Sequence, residues 1–380
     1  YIFMFPMKLG LAGAALATAI SPAITMAICT THYLGKKNHV GFRWVRPSIR
    51  HLVSCCQLGI SAFVGELSSA IITIIFNMLL LGIAGNVSVA AYGVVANLSL
   101  VAMSIFNGLA QGEQPLISKS YGEGQRDHVK SLLRWSLIAS AVLEAVTILV
   151  VWGFTDNLIA VFNSENNQQL LDYAHVGLRI YFLGLPAVGV YNCGNAILSA
   201  AGDTKKPLYF LSIAGVVNVV LNLLLVIVFH LDVAGVAIAS IISQYISAIL
   251  ITYALTHGDN VYTISLRHQP LHSLVLKDKL TAILKLGLPS GLQNMVFMFA
   301  NLFVQVGVNS FSATMVAANS AAANADGPVY EVMAAFYVAC SSFMGQNLGA
   351  KKKDRVLKSY FVSLSYSFFI GLILGLTIPL

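Results

Sequence analysis

Long apolar stretches recur along the chain and are separated by short polar segments. Each stretch is long enough to cross the roughly 30 Å hydrocarbon core of a bilayer, which takes about 20 helical residues. Strands of a membrane barrel would carry a polar residue at every second position, and runs such as 71–81 and 221–229 do not. The pattern therefore predicts ten transmembrane helices. The candidate spans are residues 9–31, 53–81, 88–112, 131–155, 176–201, 207–230, 232–256, 282–309, 313–346 and 359–380.

The composition agrees with this interpretation. Of the 380 residues, 57% are hydrophobic and 10% are charged, whereas soluble domains carry about 25% charged residues. A soluble protein is therefore excluded. The sequence predicts an all-α integral membrane protein.

The net charge of +7 is concentrated in alternate connections between the predicted helices. All Lys and Arg residues except Lys8 and Arg179 lie in five segments, and the connections between those segments hold none. The basic segments are 36–50, 119–134, 205–206, 267–285 and 351–358. Because Lys and Arg are retained on the cytoplasmic side, these segments are predicted to be cytoplasmic. The charge is thus a topology signal, and we expect no nucleic-acid partner.

Short motifs recur at a spacing of 222 to 228 residues, as when Leu58-Gly59-Ile60-Ser61 matches Leu286-Gly287-Leu288-Pro289. A repeat of this length contains six helices, and an even number gives successive repeats the same orientation. We therefore expect the chain to be an internal fragment of a longer protein. The predicted segments are 1–52, the last helix of a preceding lobe with a cytoplasmic linker; 53–256, a complete six-helix lobe; 257–281, a cytoplasmic inter-lobe linker; and 282–380, the first three helices of a following lobe.

Polar residues at membrane depth mark candidate binding sites, because burying an ionisable group in the bilayer is costly. Glu66, Thr73 and Asn77 of the second predicted span are spaced so that they share one helix face. The positions 228 residues later are Asn294, Asn301 and Gln305. Both repeats therefore begin with a polar stripe at equivalent positions. Two interpretations remain open for the stripe: a site for substrate and ion, or interhelical hydrogen bonds.

Three further acids lie within predicted spans, namely Glu144, Asp326 and Glu331. Asp326-Gly327-Pro328 is expected to break the ninth span near its middle, because proline removes a backbone hydrogen bond and glycine loosens the helix. Transporters hold their ligands at broken helices near the midplane. Asp326 and Glu331 are therefore candidate site residues, whereas Glu144 has no matching polar stripe.

Several other kinds of chemistry have no support in the sequence. The five cysteines form no CxxC or Cys/His ligand spacing, and neither HExxH nor GxSxG occurs. We therefore expect no metal site, no organic cofactor and no intramembrane enzyme. The predicted interior contains acids, amides and aromatics but no deep Lys or Arg, which favours cationic or neutral amphipathic solutes over anions.

A further signal lies in the order and spacing of five stretches that together span nearly the whole chain. They are Gln111–Ser118, Ala201–Pro207, Gly235–Ser240, Leu284–Gln293 and Gly345–Ala350. In this arrangement they resemble the multidrug and toxic compound extrusion (MATE) family of cation- or proton-coupled efflux carriers. The resemblance implies two six-helix lobes around a central cavity, and alternating access driven by Na⁺ or H⁺. It also implies an acid in the first helix of the C-terminal lobe, a position that Glu66 matches.

These observations lead to the hypothesis of an antiporter that exports organic cations or drugs across a cell membrane, expected to be the bacterial inner membrane. Glu66 and Asp326 are the predicted ligands of the coupling Na⁺ or H⁺. The predicted substrate site comprises Glu66, Thr73, Asn77, Asn294, Asn301, Gln305, Asp326 and Glu331. The expected partners are cationic or amphipathic small molecules and the lipid bilayer, and no oligomer is required.

The chain also departs from the pattern of the family it resembles. Residues 53 to about 165 resemble the start of a C-terminal lobe, 176–256 the end of an N-terminal lobe, and 282 onward a second start in which Asn294 replaces the acid. Two alternatives stay open. One is a flippase for polyprenyl-linked sugars, which would be expected to hold pyrophosphate with Arg or Lys. The other is a fragment without transport activity.

Overall fold

The computed structural model describes residues 2–35, 53, 87–88, 90–160, 167–257, 263, 273–311 and 313–377, and no strand occurs within them. The helices are α1 (Gly10–Leu34), α2 (Ala90–Gly122), α3 (Arg126–Gly153), α4 (Thr155–Ala160), α5 (Gln168–Phe182), α6 (Leu185–Ala200), α7 (Lys205–Asn222, continued by a π-helical segment Leu223–Val228), α8 (Asp232–Thr256), α9 (Ser273–Asn309), α10 (Ala313–Gly349) and α11 (Lys353–Thr377).

The helices confirm the all-α membrane architecture expected from the sequence. Every predicted span coincides with a helix or helix pair, except 53–81, of which the structure describes only Val53. Six of the helices are long and apolar enough to cross a bilayer, or seven spans if the bent pair α5 and α6 is counted as one. The chain is therefore a multi-pass helical membrane protein.

Two helices extend well beyond their predicted spans. Helix α2 ends at Gly122 instead of residue 112, and α9 begins at Ser273, inside the segment 257–281 that was expected to be a linker. The predicted limits follow the change from apolar to polar residues. A helix keeps its backbone hydrogen bonds across that change, because they do not depend on side-chain polarity.

The predicted span 176–201 is formed by two helices, α5 and α6, which are bent by 44° relative to each other. Helix α5 begins early because the Asn167 side chain caps it by accepting a hydrogen bond from the Leu170 amide at 3.2 Å. Pro186 lies in the first turn of α6, where the first N–H groups of a helix have no partner within the helix. The proline therefore fits at this position, but α5 and α6 cannot form one continuous helix through it. The predicted external connection 156–175 therefore contains α4 and the start of α5.

Helix α2 lies at the centre of the bundle. Leu109 and Ile117 of α2 are buried in an apolar cluster with residues of α3, α6, α8 and α9. Val95 and Phe106, nearer its start, pack in a second cluster with α3, α5 and α6. A polar side chain on the buried face of α2 therefore lies inside the protein.

Candidate functional site

The structure places the predicted site residues unevenly. Glu66, Thr73 and Asn77 lie outside the described residues. The backbone of Asp326 and Glu331 is part of α10, and the structure does not describe their side chains. Their roles as ligands stay predictions.

The expected break in the ninth span is wrong. Helix α10 runs without interruption from Ala313 to Gly349 and passes through Asp326-Gly327-Pro328. A proline removes one backbone hydrogen bond, and neighbouring helices compensate for such a loss within a membrane bundle. The helix therefore continues through the proline instead of ending at it.

The three amides of the second polar stripe, all on α9, have different surroundings. The Asn294 side-chain amide donates to Gln111 Oε1 of α2 at 3.5 Å, beside a 3.0 Å bond from the Ser290 hydroxyl to the same oxygen. Gln305 accepts from Asn319 of α10 at 3.5 Å. Asn301 is exposed. In this conformation Asn294 and Gln305 therefore join α9 to its neighbours.

Helices α2 and α9 cross with their backbones in close contact. A Cβ on Gly108 would meet the backbone of Gly291, and a Cβ on Gly112 would meet the backbone of Gly287. Each helix thus contributes two glycines four residues apart. This is the small-residue spacing that lets membrane helices approach closely when no hydrophobic effect drives them together.

A second close contact, which we call the seam, joins the ends of α2 and α10. Gln114 donates a 2.6 Å hydrogen bond to Ser342, a residue 228 positions later. Beyond this pair, a Cβ on Gly122 would meet the Gln346 carbonyl, and one on Gly349 would meet the Lys119 carbonyl. The seam therefore joins positions that are equivalent in the two predicted repeats.

Basic segments in the described part of the chain meet at the end of the bundle where the seam lies. Gln346 donates to the Ala200 carbonyl at 2.6 Å, which places the start of α7 there as well. A cavity of about 480 Å³ beside α2 is lined by both Lys119 and Lys279. This end, called the basic end, is the one predicted to be cytoplasmic.

A carboxyl group that sequence reasoning missed lies inside the bundle near the seam. Glu113 of α2 has no exposed surface, and neither of its oxygens has a hydrogen-bond partner among the described residues. The side chains of Ser136 on α3 and Cys193 on α6 lie beside it. Ser136 is also fully buried, and its hydroxyl likewise has no partner in the described part of the chain.

A second buried carboxyl belongs to Glu144 of α3, which is 2% exposed. Its Oε1 accepts a hydrogen bond from Ser140 and occupies the space that a Cβ of Gly189 would fill. Cys193 is one turn along α6 from Gly189 and lies within electrostatic reach of both Glu113 and Glu144. We call Glu113, Ser136, Ser140, Glu144 and Cys193 the acidic cluster.

Glu113 was missed because the predicted span ended at residue 112, which placed it in a connection. A signal for its burial exists in the sequence. Leu109 and Ile117 lie four residues before and after it, so all three share one helix face. Both apolar neighbours are buried, at 2% and 0% exposure.

The Gln114–Ser342 hydrogen bond makes a measurable contribution to the seam. We expect Gln114→Ala and Ser342→Ala to be coupled by about 1 kcal/mol, the usual net value of a buried hydrogen bond. The measurement is a double-mutant cycle on the free energy of unfolding in detergent. Ser118→Ala is the matched control, because the Ser118 hydroxyl has no partner among the described residues. Full additivity of the Gln114 and Ser342 substitutions would contradict the assignment.

The family comparison decides where this architecture belongs. The model of the MatE family matches residues 51–224 and 289–380, which is well over half of the chain. The chain belongs to the MatE family. The match covers parts of both predicted repeats, including the whole of α2 and α10.

Individual relatives of this MatE chain are distant. It is 27% identical over 274 residues to the probable multidrug resistance protein YpnP of Bacillus subtilis, covering 72% of this chain and 59% of the relative. It is 26% identical over 259 residues to the multidrug export protein MepA of Staphylococcus saprophyticus, covering 67% of this chain and 56% of the relative. The chain thus spans less than two thirds of the length of these curated relatives.

The fold also matches solved structures. A multidrug resistance MATE family transporter of the MOP superfamily, solved in an outward-facing conformation, superimposes with a TM-score of 0.75 over 84% of this chain and 70% of that chain. The two sequences are 22% identical. The MatE chain therefore has the fold of a MATE transporter.

Proposed function

We propose that this chain is part of a secondary active efflux transporter that exports organic cations or drugs in exchange for Na⁺ or H⁺ by alternating access. The observation that carries the proposal is the seam, where repeat-equivalent residues such as Gln114 and Ser342 meet at one end of the bundle. The names of the relatives, multidrug resistance protein and multidrug export protein, support the same activity.

The composition of the seam suits a gate. At Gly122 and Gly349 its contacts are with the backbone of the facing helix. Rocking of one repeat against the other then separates the helices without repacking an apolar core. With the basic end cytoplasmic, the structure corresponds to the state closed on the cytoplasmic side.

The substrate site is proposed to lie on the faces that the two repeats present to each other. Glu66 and Asp326 bind the coupling ion and the exported cation in competition with each other. The remaining substrate contacts are Thr73, Asn77, Asn294, Asn301, Gln305 and Glu331. The bond from Asn294 to Gln111 of α2 supports this location, because it lies between a helix of each repeat.

The division of the chain stays as proposed from the repeat. Residues 53–256 form one six-helix lobe, 282–380 begin the next, 1–52 belong to a preceding lobe and its linker, and 257–281 connect the lobes. A position in the bacterial inner membrane follows from the proposed exchange against an ion gradient.

Efflux of ethidium, a fluorescent organic cation, tests the proposal. Cells lacking their own pumps and expressing the intact transporter that contains this chain are expected to accumulate less ethidium than cells with an empty vector. Glu66→Gln and Asp326→Asn should each abolish the difference, because they remove the charge that binds cation and coupling ion. Glu123→Gln is the control, since Glu123 is a partly exposed acid at the basic end. Unchanged efflux in both site variants would remove these residues from the mechanism.

A further inference from the structure

We propose that the acidic cluster binds an exchangeable proton inside the six-helix lobe, shared between the carboxyl groups of Glu113 and Glu144. The role of this proton as the coupling ion rests on the proposed function, but its binding does not. The site is separate from the residues predicted to bind substrate.

The first argument is the unpaired burial of the groups. Glu113 and Ser136 have no exposed surface, and their side-chain oxygens make no hydrogen bond of full geometry among the described residues. The Ser136 hydroxyl and the Cys193 thiol are near enough to interact with the Glu113 carboxyl, but neither carries a charge that would compensate a carboxylate. An isolated charged carboxylate in an apolar interior costs far more than a protonated one, and unpaired buried polar atoms are rare in proteins. A proton on the carboxyl removes the charge and provides a hydrogen-bond donor to the adjacent hydroxyl.

The second argument is the arrangement on α3. Ser136, Ser140 and Glu144 are spaced four residues apart, so they lie on one helix face and rise by about 6 Å per step. Ser136 lies beside Glu113, and Ser140 donates to Glu144. The Cys193 thiol lies within hydrogen-bonding reach of both Ser140 and Glu113, so groups that both donate and accept hydrogen bonds lie between the two carboxyls. The face is suited to moving a proton between the two acids.

The groups around the carboxyls favour a proton over a metal ion. Among the described residues, the polar side chains that interact with Glu113 and Glu144 are Ser136, Ser140 and Cys193. Of these three, only the Cys193 thiol can be titrated. No three Asp, Glu, His or Cys side chains in the described part of the chain are arranged to hold a metal ion. The Glu144 carboxyl also fills the space above Gly189, which leaves little room for a ligand shell.

Infrared difference spectroscopy on the 380-residue chain in lipid films tests the proposal. We expect a carbonyl stretch of protonated carboxyl that shifts in D₂O and disappears as the pH is raised. In difference spectra against the wild type, Glu113→Gln and Glu144→Gln should each remove part of this band. Glu123→Gln, which changes an acid at the surface, should remove none of it.

Three results would overturn the proposal. In the first, neither Glu113→Gln nor Glu144→Gln removes any part of the wild-type band. In the second, the band responds to neither pH nor D₂O. In the third, Na⁺ but not K⁺ removes the band at constant pH. If a variant does not fold, the response of the wild-type band to pH, D₂O and Na⁺ still tests the proposal. The position of the band is then compared between the wild type and Cys193→Ser. A normal proton band, together with an intact transporter that exports no ethidium, would contradict the proposed function and leave the proton site standing.

Discussion

Replacing Gly122 by leucine is expected to open the seam between α2 and α10. A Cβ at this position would meet the backbone carbonyl of Gln346, and a backbone atom cannot move aside as a flexible side chain does. Overpacking of this kind costs about 1–3 kcal/mol, which corresponds to roughly a fivefold to 150-fold fall in the ratio of closed to open molecules. The basic end should therefore become accessible to water-soluble reagents.

The reporter for this opening is a cysteine at Ser118, which lies in the seam with no exposed surface. Ser118→Cys removes no hydrogen bond within the described residues. The rate of its modification by a charged maleimide, read by peptide mass spectrometry, should rise in Gly122→Leu by about the same factor as the closed-to-open ratio falls. Gly93→Leu is the matched control on the same helix, because a Cβ there would meet no atom within 4 Å. Equal rates in the two variants would show that the seam is not held closed by this contact.

Replacing Gly108 by leucine is expected to separate α2 from α9 and to destabilise the protein. A Cβ on Gly108 would meet the backbone of Gly291, so the helices must move apart along the whole crossing. The move also stretches the hydrogen bonds from Ser290 and Asn294 to Gln111. We expect a loss of about 3 kcal/mol or more in the free energy of unfolding, at the upper end of the usual cost of overpacking.

The measurement is denaturant unfolding in detergent, with Gly375→Leu as the matched control. A Cβ at Gly375 of α11 would meet no atom within 4 Å. The control should be neutral or stabilising by up to about 1 kcal/mol, since leucine is the better helix former. Opposite signs in the two variants are therefore expected. A Gly108→Leu protein as stable as the control would show that α2 and α9 do not pack through these glycines.

The sequence repeat relates two residues that meet in the seam, although it did not predict their contact. A spacing of 228 residues relates Glu66 to Asn294 and also relates Gln114 to Ser342, and the second pair proves to be hydrogen-bonded. The spacing alone states only that two positions are equivalent. Equivalent residues touch only where a pseudo-two-fold axis passes between them, and the position of that axis depends on how the lobes pack.

The broken helix shows the limit of local rules. Asp326-Gly327-Pro328 has a sequence that ends most helices in water, yet α10 continues through it. In a bilayer an unpaired backbone group is costly enough that the helix is retained wherever neighbouring helices allow it. The membrane environment of α10 therefore outweighs the helix-breaking tendency of these three residues.

The sequence by itself determined that the chain is a helical, multi-pass membrane protein, because the length of an apolar stretch is a local property that the bilayer reads directly. Only the tertiary structure decided that Glu113 is buried beside Cys193 and that Gly122 faces Gln346. These facts depend on which helices adjoin and how they are rotated, and contacts between residues far apart in the chain determine both. Within the lipid, packing between small residues and pairing of polar groups select those contacts, since apolar surface is equally stable against lipid or protein.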